Sequence, residues 1–73
     1  MNTKLLKRIE INSKVLLGKP VIRGTGISVE IILRKLADNI SIEDIPADYP
    51  RLTKDDIRAA MVYAAETIST EQV

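Results

Sequence analysis

Seven consecutive apolar residues, Ala59-Ala60-Met61-Val62-Tyr63-Ala64-Ala65, stand late in a chain of 73 residues. Thr53 ahead of them reads as a helix N-cap, with Asp56 at the capping-box spacing and Asp55 beside it in the first turn. The helix that follows carries an inward stripe of Ile57, Ala60, Met61, Ala64, Ala65 and Ile68, yet Ala59, Val62 and Tyr63 make its other side apolar too. A helix apolar nearly all round is buried on more than one side. That demand falls on one small domain, whose core contributes only about 3–5 kcal/mol. No cysteine is present, so neither a disulfide nor a thiolate metal site adds to it. The hydrophobic share is 45% with 3% aromatic, more aliphatic surface than a small monomer hides. The sequence therefore predicts a homo-oligomer, most simply a dimer, or a complex with a partner.

The rest of the chain supplies candidate walls. Leu5 to Ile11 reads as a strand with Leu5, Ile9 and Ile11 on one face. Asn12-Ser13-Lys14 is turn chemistry, and Val21 to Arg23 is a short edge strand entered through Pro20. Gly18, Gly24 and Gly26, with Pro20, mark structural turns, the last two glycines at positive φ between strand and helix. Ser28 caps a helix whose face is Val29, Ile32, Leu33, Leu36 and Ala37, with Ile31 off that stripe and Asn39 as its left-handed stop. A second, short helix starts at Ser41, with Asp44 at the box spacing, Ile42 and Ile45 facing inward, and Pro46 after its first turn. The predicted class is α+β: short N-terminal β-strands or a hairpin over 1–27, a three-helix homeodomain-like (helix-turn-helix) core over 28–69, and a frayed tail over 70–73, all one domain.

Charge is unevenly distributed. Residues 1–37 carry eight basic side chains against two acidic ones, a net of +6, whereas residues 38–73 carry three against eight, a net of −5. A polyanion therefore suits the first half better than the second. Enzyme chemistry finds little to work with. There is no histidine to act as base or ligand, and the serines and threonines sit at turns and helix starts, where hydroxyls cap. Glu43, Asp44 and Asp48 read as caps and solvated charge, and Gly24-Thr25-Gly26 lacks the third glycine of a dinucleotide fingerprint. The expectation is no enzyme, no metal, no cofactor and no small-molecule substrate. The apolar run is far short of the about 20 residues that span a bilayer, and Met-Asn-Thr-Lys-Leu-Leu is no signal peptide, so no membrane role is expected and the location reads as cytoplasmic.

The stretch Gly18-Lys19-Pro20-Val21-Ile22-Arg23-Gly24-Thr25-Gly26-Ile27-Ser28-Val29 resembles the signature of a small bacterial family known as domain of unknown function 433. Leu36-Ala37-Asp38-Asn39, Ser41 to Ile45, Asp48 to Thr53, Asp56 to Ala60 and Tyr63-Ala64-Ala65 extend the likeness over residues 8–66. That resemblance implies a homeodomain-like core preceded by β structure. It also implies an antitoxin of a type II toxin–antitoxin pair, which binds and neutralises a PIN-like ribonuclease and represses its own operon as a DNA-binding dimer. Two other classes stay open: a stand-alone helix-turn-helix transcriptional regulator, and a structural adaptor.

On the helix-turn-helix reading, operator DNA meets Arg51, Thr53, Lys54 and Arg58 at the start of the last helix, helped by Lys4, Lys7 and Arg8 from the arm. Asp55 and Asp56 oppose phosphate there. The partner or dimer interface falls on Ile31, Val62, Tyr63, Ile9 and Ile11, apolar residues that three helices leave uncovered.

Overall fold

A computed structural model describes residues 3–70. The elements, in chain order, are helix α1 (Thr3–Leu6), strand β1 (Ile9–Glu10), strand β2 (Val21–Ile22), helix α2 (Val29–Ala37), helix α3 (Ile45–Asp48) and helix α4 (Lys54–Thr70). The class is α+β, as expected, with a two-stranded antiparallel hairpin that sets Ile9 opposite Ile22 and Glu10 opposite Val21. The tail residues 71–73 lie outside the described residues.

β2 is paired on both edges, which is how two residues suffice to hold it. On one edge it meets β1. On the other, Ile22 N–H donates to the Ile27 carbonyl and Val29 N–H to the Pro20 carbonyl, with Val21 bridging Ser28. Between them the Gly24-Thr25-Gly26 turn reverses the chain at φ +82° and +71°. The Thr25 hydroxyl donates to the Ile22 carbonyl and accepts from Ile27 N–H, so one side chain closes the turn. Ser28 Oγ then accepts from Ile31 N–H and caps α2. At the other end Asn39 takes φ +66°, Asn39 N–H reaches the Leu36 carbonyl and Ile40 N–H the Lys35 carbonyl. That is a complete Schellman stop with asparagine in the left-handed position.

The structure corrects three expectations. The strand expected from Leu5 is a helical turn through Leu6, and only Ile9 and Glu10 are extended. Leu5 and Ile9 are both buried while Ile11 is 60% exposed, so the alternating face does not form. Leu5 from the helical turn and Ile9 from the strand both reach the core beside α4. Second, the helix expected from Ser41 begins at Ile45. Asp44 N–H donates to Ser41 Oγ, but Asp44 is itself the residue before the helix and Pro46 lies inside its first turn. Proline lacks the N–H that an interior position needs, so it belongs in that first turn. Third, Ala65 and Ile68, assigned inward on α4, are exposed, Ile68 by 66%.

The demand for two walls around α4 is met within the chain. Adjacent residues on a helix point about 100° apart, yet Ala59 and Ala60 are both fully buried. One wall is Ile32 of α2, Ile45 of α3 and Leu52. The other is α1 and β1, which pack on α4 and bring Leu5 and Ile9 into the same core. The fully buried residues of α4 end at Ala60, and from Ala65 onward its residues are exposed or half-buried.

Candidate functional site

The N-terminus of α4 gathers the polar residues. Thr53 Oγ1 accepts from Asp56 N–H at 3.1 Å, and an Asp56 carboxylate oxygen accepts from Thr53 N–H at 3.0 Å, a reciprocal capping box. The other Asp56 oxygen accepts from the Arg8 guanidinium at 3.0 Å, and Asp56 is buried. Arg8 also lies 3.7 Å from Asp55, whose second oxygen is 3.7 Å from Arg58. The two aspartates that oppose phosphate are thus each met by an arginine. Arg51 and Lys54 are exposed and unpaired among the described residues, so the cluster carries more positive than negative charge.

The set expected from sequence to face DNA therefore divides. Arg51, Thr53, Lys54 and Arg58 come together around the first turn of α4, while Lys4 and Lys7 are exposed in or just beyond α1. Arg8, grouped with them from sequence, is half-buried and committed to Asp56. It pins the arm to α4 through that ion pair, with 42% of its side chain still exposed. Arg23 performs a similar service unforeseen from sequence, donating from Nε to the Lys7 carbonyl and from Nη2 to the Ile9 carbonyl.

Two apolar grooves flank the C-terminal half of α4 and share Tyr63 as a wall. The first, about 420 Å³, runs between α2 and α4 over Pro20, Val29, Leu33, Ala37, Tyr63, Ala64 and Ile68. Glu30, Arg34 and Thr67 form its rim. Glu30 is held below the ordinary carboxylate value, first by the Arg34 hydrogen bond and then by the Lys19 charge. The second groove, about 490 Å³, runs between the arm and α4 over Leu6, Ile9, Ile11 and Tyr63, edged by Glu66, Thr67 and Thr70.

Of the residues expected at an interface, Ile11 and Tyr63 line these grooves and Ile31 is exposed on α2. Val62 is half-buried against the core. Ile9 touches the second groove and is also a buried member of the chain's own core, because β1 folds onto α4. Sequence reasoning passed over Leu16 and Leu17. Both adopt positive φ, +48° and +56°, ahead of Gly18 at +84°, and Leu17 is 95% exposed. A non-glycine residue in that region is uncommon. The signal available was two leucines beside glycine between two turn-forming stretches.

The carboxylates Glu43, Asp44 and Asp48 do not converge, and the described residues hold no group of three acidic side chains placed for a metal. Nor is any helix among them long and apolar enough to cross a membrane. Compared with known proteins, no curated protein and no solved structure gave a match. Residues 9–64 match the model of a family described as Protein of unknown function (DUF433). That span takes in the hairpin, the glycine turn, α2, α3 and α4 as far as Ala64, and on this match the chain belongs to the DUF433 family.

Proposed function

We propose that the chain is the antitoxin of a type II pair, binding a PIN-like ribonuclease through apolar surface and contacting operator DNA as a dimer. The observation that carries this reading is the pair of open apolar grooves on either side of Tyr63. A core of this size contributes only about 3–5 kcal/mol, and a single large aliphatic side chain gains about 1.5–3 kcal/mol on burial. The exposed Ile11 and the half-buried Tyr63 beside these grooves are apolar groups that a second chain would cover. Inhibition is steric: the groove between arm and α4, with Ile11 and Tyr63, takes the ribonuclease and blocks its access to RNA.

Within the same reading α2, α3 and α4 act as a homeodomain-like helix-turn-helix. The start of α4 offers Lys54 and Arg58, and Arg51 just ahead of it, to base edges and phosphates, with Asp55 and Asp56 each beside an arginine. Lys4 and Lys7, doubled in a dimer, add phosphate affinity.

The test is co-expression with the protein encoded by the adjacent gene. The expected result is a PIN-like product with clustered aspartates that co-purifies with this chain and loses ribonuclease activity in its presence. Ile11→Asp should release that activity while leaving the chain folded, since Ile11 is exposed. An unrelated neighbour, or a nuclease unaffected by the chain, overturns the reading.

A further inference from the structure

We propose that two copies of this chain exchange arms: α1 and β1 of each copy seat on β2 and α4 of the other, with the connection over 11–20 as the hinge. The inference rests on the dimer in the reading above and names its interface. Seat and occupant are both visible in the single chain, since the contacts that pass between copies are those the closed chain makes within itself.

Three observations carry it. The first is what holds the arm. Leu5 and Ile9 enter a core otherwise built from Ile22 onward, and Arg8 pairs with Asp56 at 3.0 Å. Arg23 N–H donates to the Arg8 carbonyl at 2.7 Å, and the Arg23 guanidinium holds the Lys7 and Ile9 carbonyls. Each of these partners lies beyond the hinge, so another copy can supply it unchanged. The second is how lightly the hinge is tied down. Its backbone bonds are local, Val15 N–H to the Asn12 carbonyl, Gly18 N–H to Val15 and Lys19 N–H to Leu16, and Ile11, Leu16 and Leu17 are exposed. The third is strain. Leu16 and Leu17 stand at φ +48° and +56°, a left-handed backbone that is unfavourable for leucine.

An extended hinge releases that strain while the arm keeps its contacts, and strained hinge loops favour exchange for this reason. Reach is sufficient. At about 3.3 Å per residue the hinge spans about 33 Å, close to the molecule's longest dimension of 35 Å. Exchange also makes the second groove composite, with Leu6, Ile9 and Ile11 from one copy facing Tyr63 and Glu66 of the other.

Charge reversal tests this without touching the apolar core. In Arg8→Asp alone, or Asp56→Arg alone, like charges face each other across the seat. When the two variants are mixed and refolded together, exchanged arms set each altered position opposite its complement, at both seats. The mixture should melt above either variant alone and sediment as a mixed species of two copies. A mixture that melts no higher than its components overturns the exchange.

A disulfide reads the same point by mass. Ile9 and Ile22 are opposite in register, and Ile22 N–H turns away to Ile27, so theirs is the close pair of the ladder, at about 4.5 Å and within disulfide reach. The chain has no cysteine of its own. Oxidised Ile9→Cys/Ile22→Cys should run under denaturing, non-reducing conditions at twice the chain mass, and a product of one chain mass overturns the exchange. Leu17→Gly, which accommodates φ +56°, should weaken the dimer about a hundredfold, about tenfold for each hinge. Leu17→Pro, whose ring fixes φ near about −65°, should strengthen it. A dimer indifferent to both overturns the hinge. Sedimentation of the wild type separates failure of the exchange from failure of the reading beneath it. Two copies by sedimentation, with the disulfide formed only within a chain, removes the exchange and leaves the dimer standing, whereas one copy at every concentration overturns both.

Discussion

Replacing Asp56 by alanine should cost this protein about half its stability. Three interactions go at once. The reciprocal half of the capping box is lost with the bond from Thr53 N–H, 3.0 Å, worth on the order of 0.5–1.5 kcal/mol. The charge at the positive end of α4 goes too, worth about 0.3–1 kcal/mol. The bond from Arg8, also 3.0 Å, goes with it. Hydrogen bonds to charged groups reach about 1.5–3 kcal/mol, but Arg8 is 42% exposed and solvent screening brings this pair nearer 1 kcal/mol. The sum is about 2–3.5 kcal/mol against the about 3–5 kcal/mol that a core of this size supplies. At about 4–8 °C per kcal/mol for a domain of this length, the thermal midpoint should fall by roughly 10–25 °C. Circular dichroism at 222 nm follows this directly. Asp56→Asn, which keeps a carbonyl oxygen for Thr53, should fall about half as far. A double-mutant cycle with Arg8→Ala should return a coupling of about 1 kcal/mol. If Asp56→Ala melts within about 3 °C of the wild type, the arm is not pinned to α4 in this way.

Gly24 has no atom within 4 Å of where a Cβ would stand, so Gly24→Ala should destabilise through its φ of +82° alone, by about 1 kcal/mol in a denaturant titration. Gly24→Asn should recover part of that loss, and an unchanged midpoint for alanine would refute the left-handed turn. Glu30 should titrate below its ordinary 4.5, so the small stabilisation it gives is complete above that pH and disappears as pH falls through the lowered value. In a carboxyl NMR titration Arg34→Ala should return the inflection toward 4.5, and no movement would remove Arg34 as the main cause. On operator duplex Arg58→Ala should relax sequence preference by about 1–3 kcal/mol, whereas Lys7→Ala should weaken all sequences alike and flatten the salt dependence. Binding that ignores salt contradicts a phosphate-facing role for either residue.

Helix ends were the most legible part of the sequence, because a cap is a local event. Ser28, Asn39 and the Thr53–Asp56 pair each act on backbone groups within a few residues, and their side-chain chemistry states the geometry. Positive φ at Gly24 and Gly26 was readable for the same reason. The arm was not, since Leu5 and Ile9 satisfy helix and strand spacing alike, and what decides between them is the far side of α4. Arg8 shows the same limit: as a cation in a basic segment it resembles Lys4 and Lys7, and only a residue 48 positions away gives it a fixed partner. Ala65 and Ile68 failed as inward residues because periodicity says which way a helix faces and not where its walls stop. The grooves flank α4 from Tyr63 onward, where its cover thins, and no local pattern encodes that position.

Calorimetric titration of the chain with the protein encoded by its neighbouring gene, repeated at several temperatures, tests most directly the role proposed for the open apolar surface. Association through Ile11, Tyr63 and their neighbours should give a markedly negative heat-capacity change, and Tyr63→Asp should reduce it along with the affinity. No binding, or binding whose enthalpy does not vary with temperature, would show that the apolar grooves are not what holds the partner.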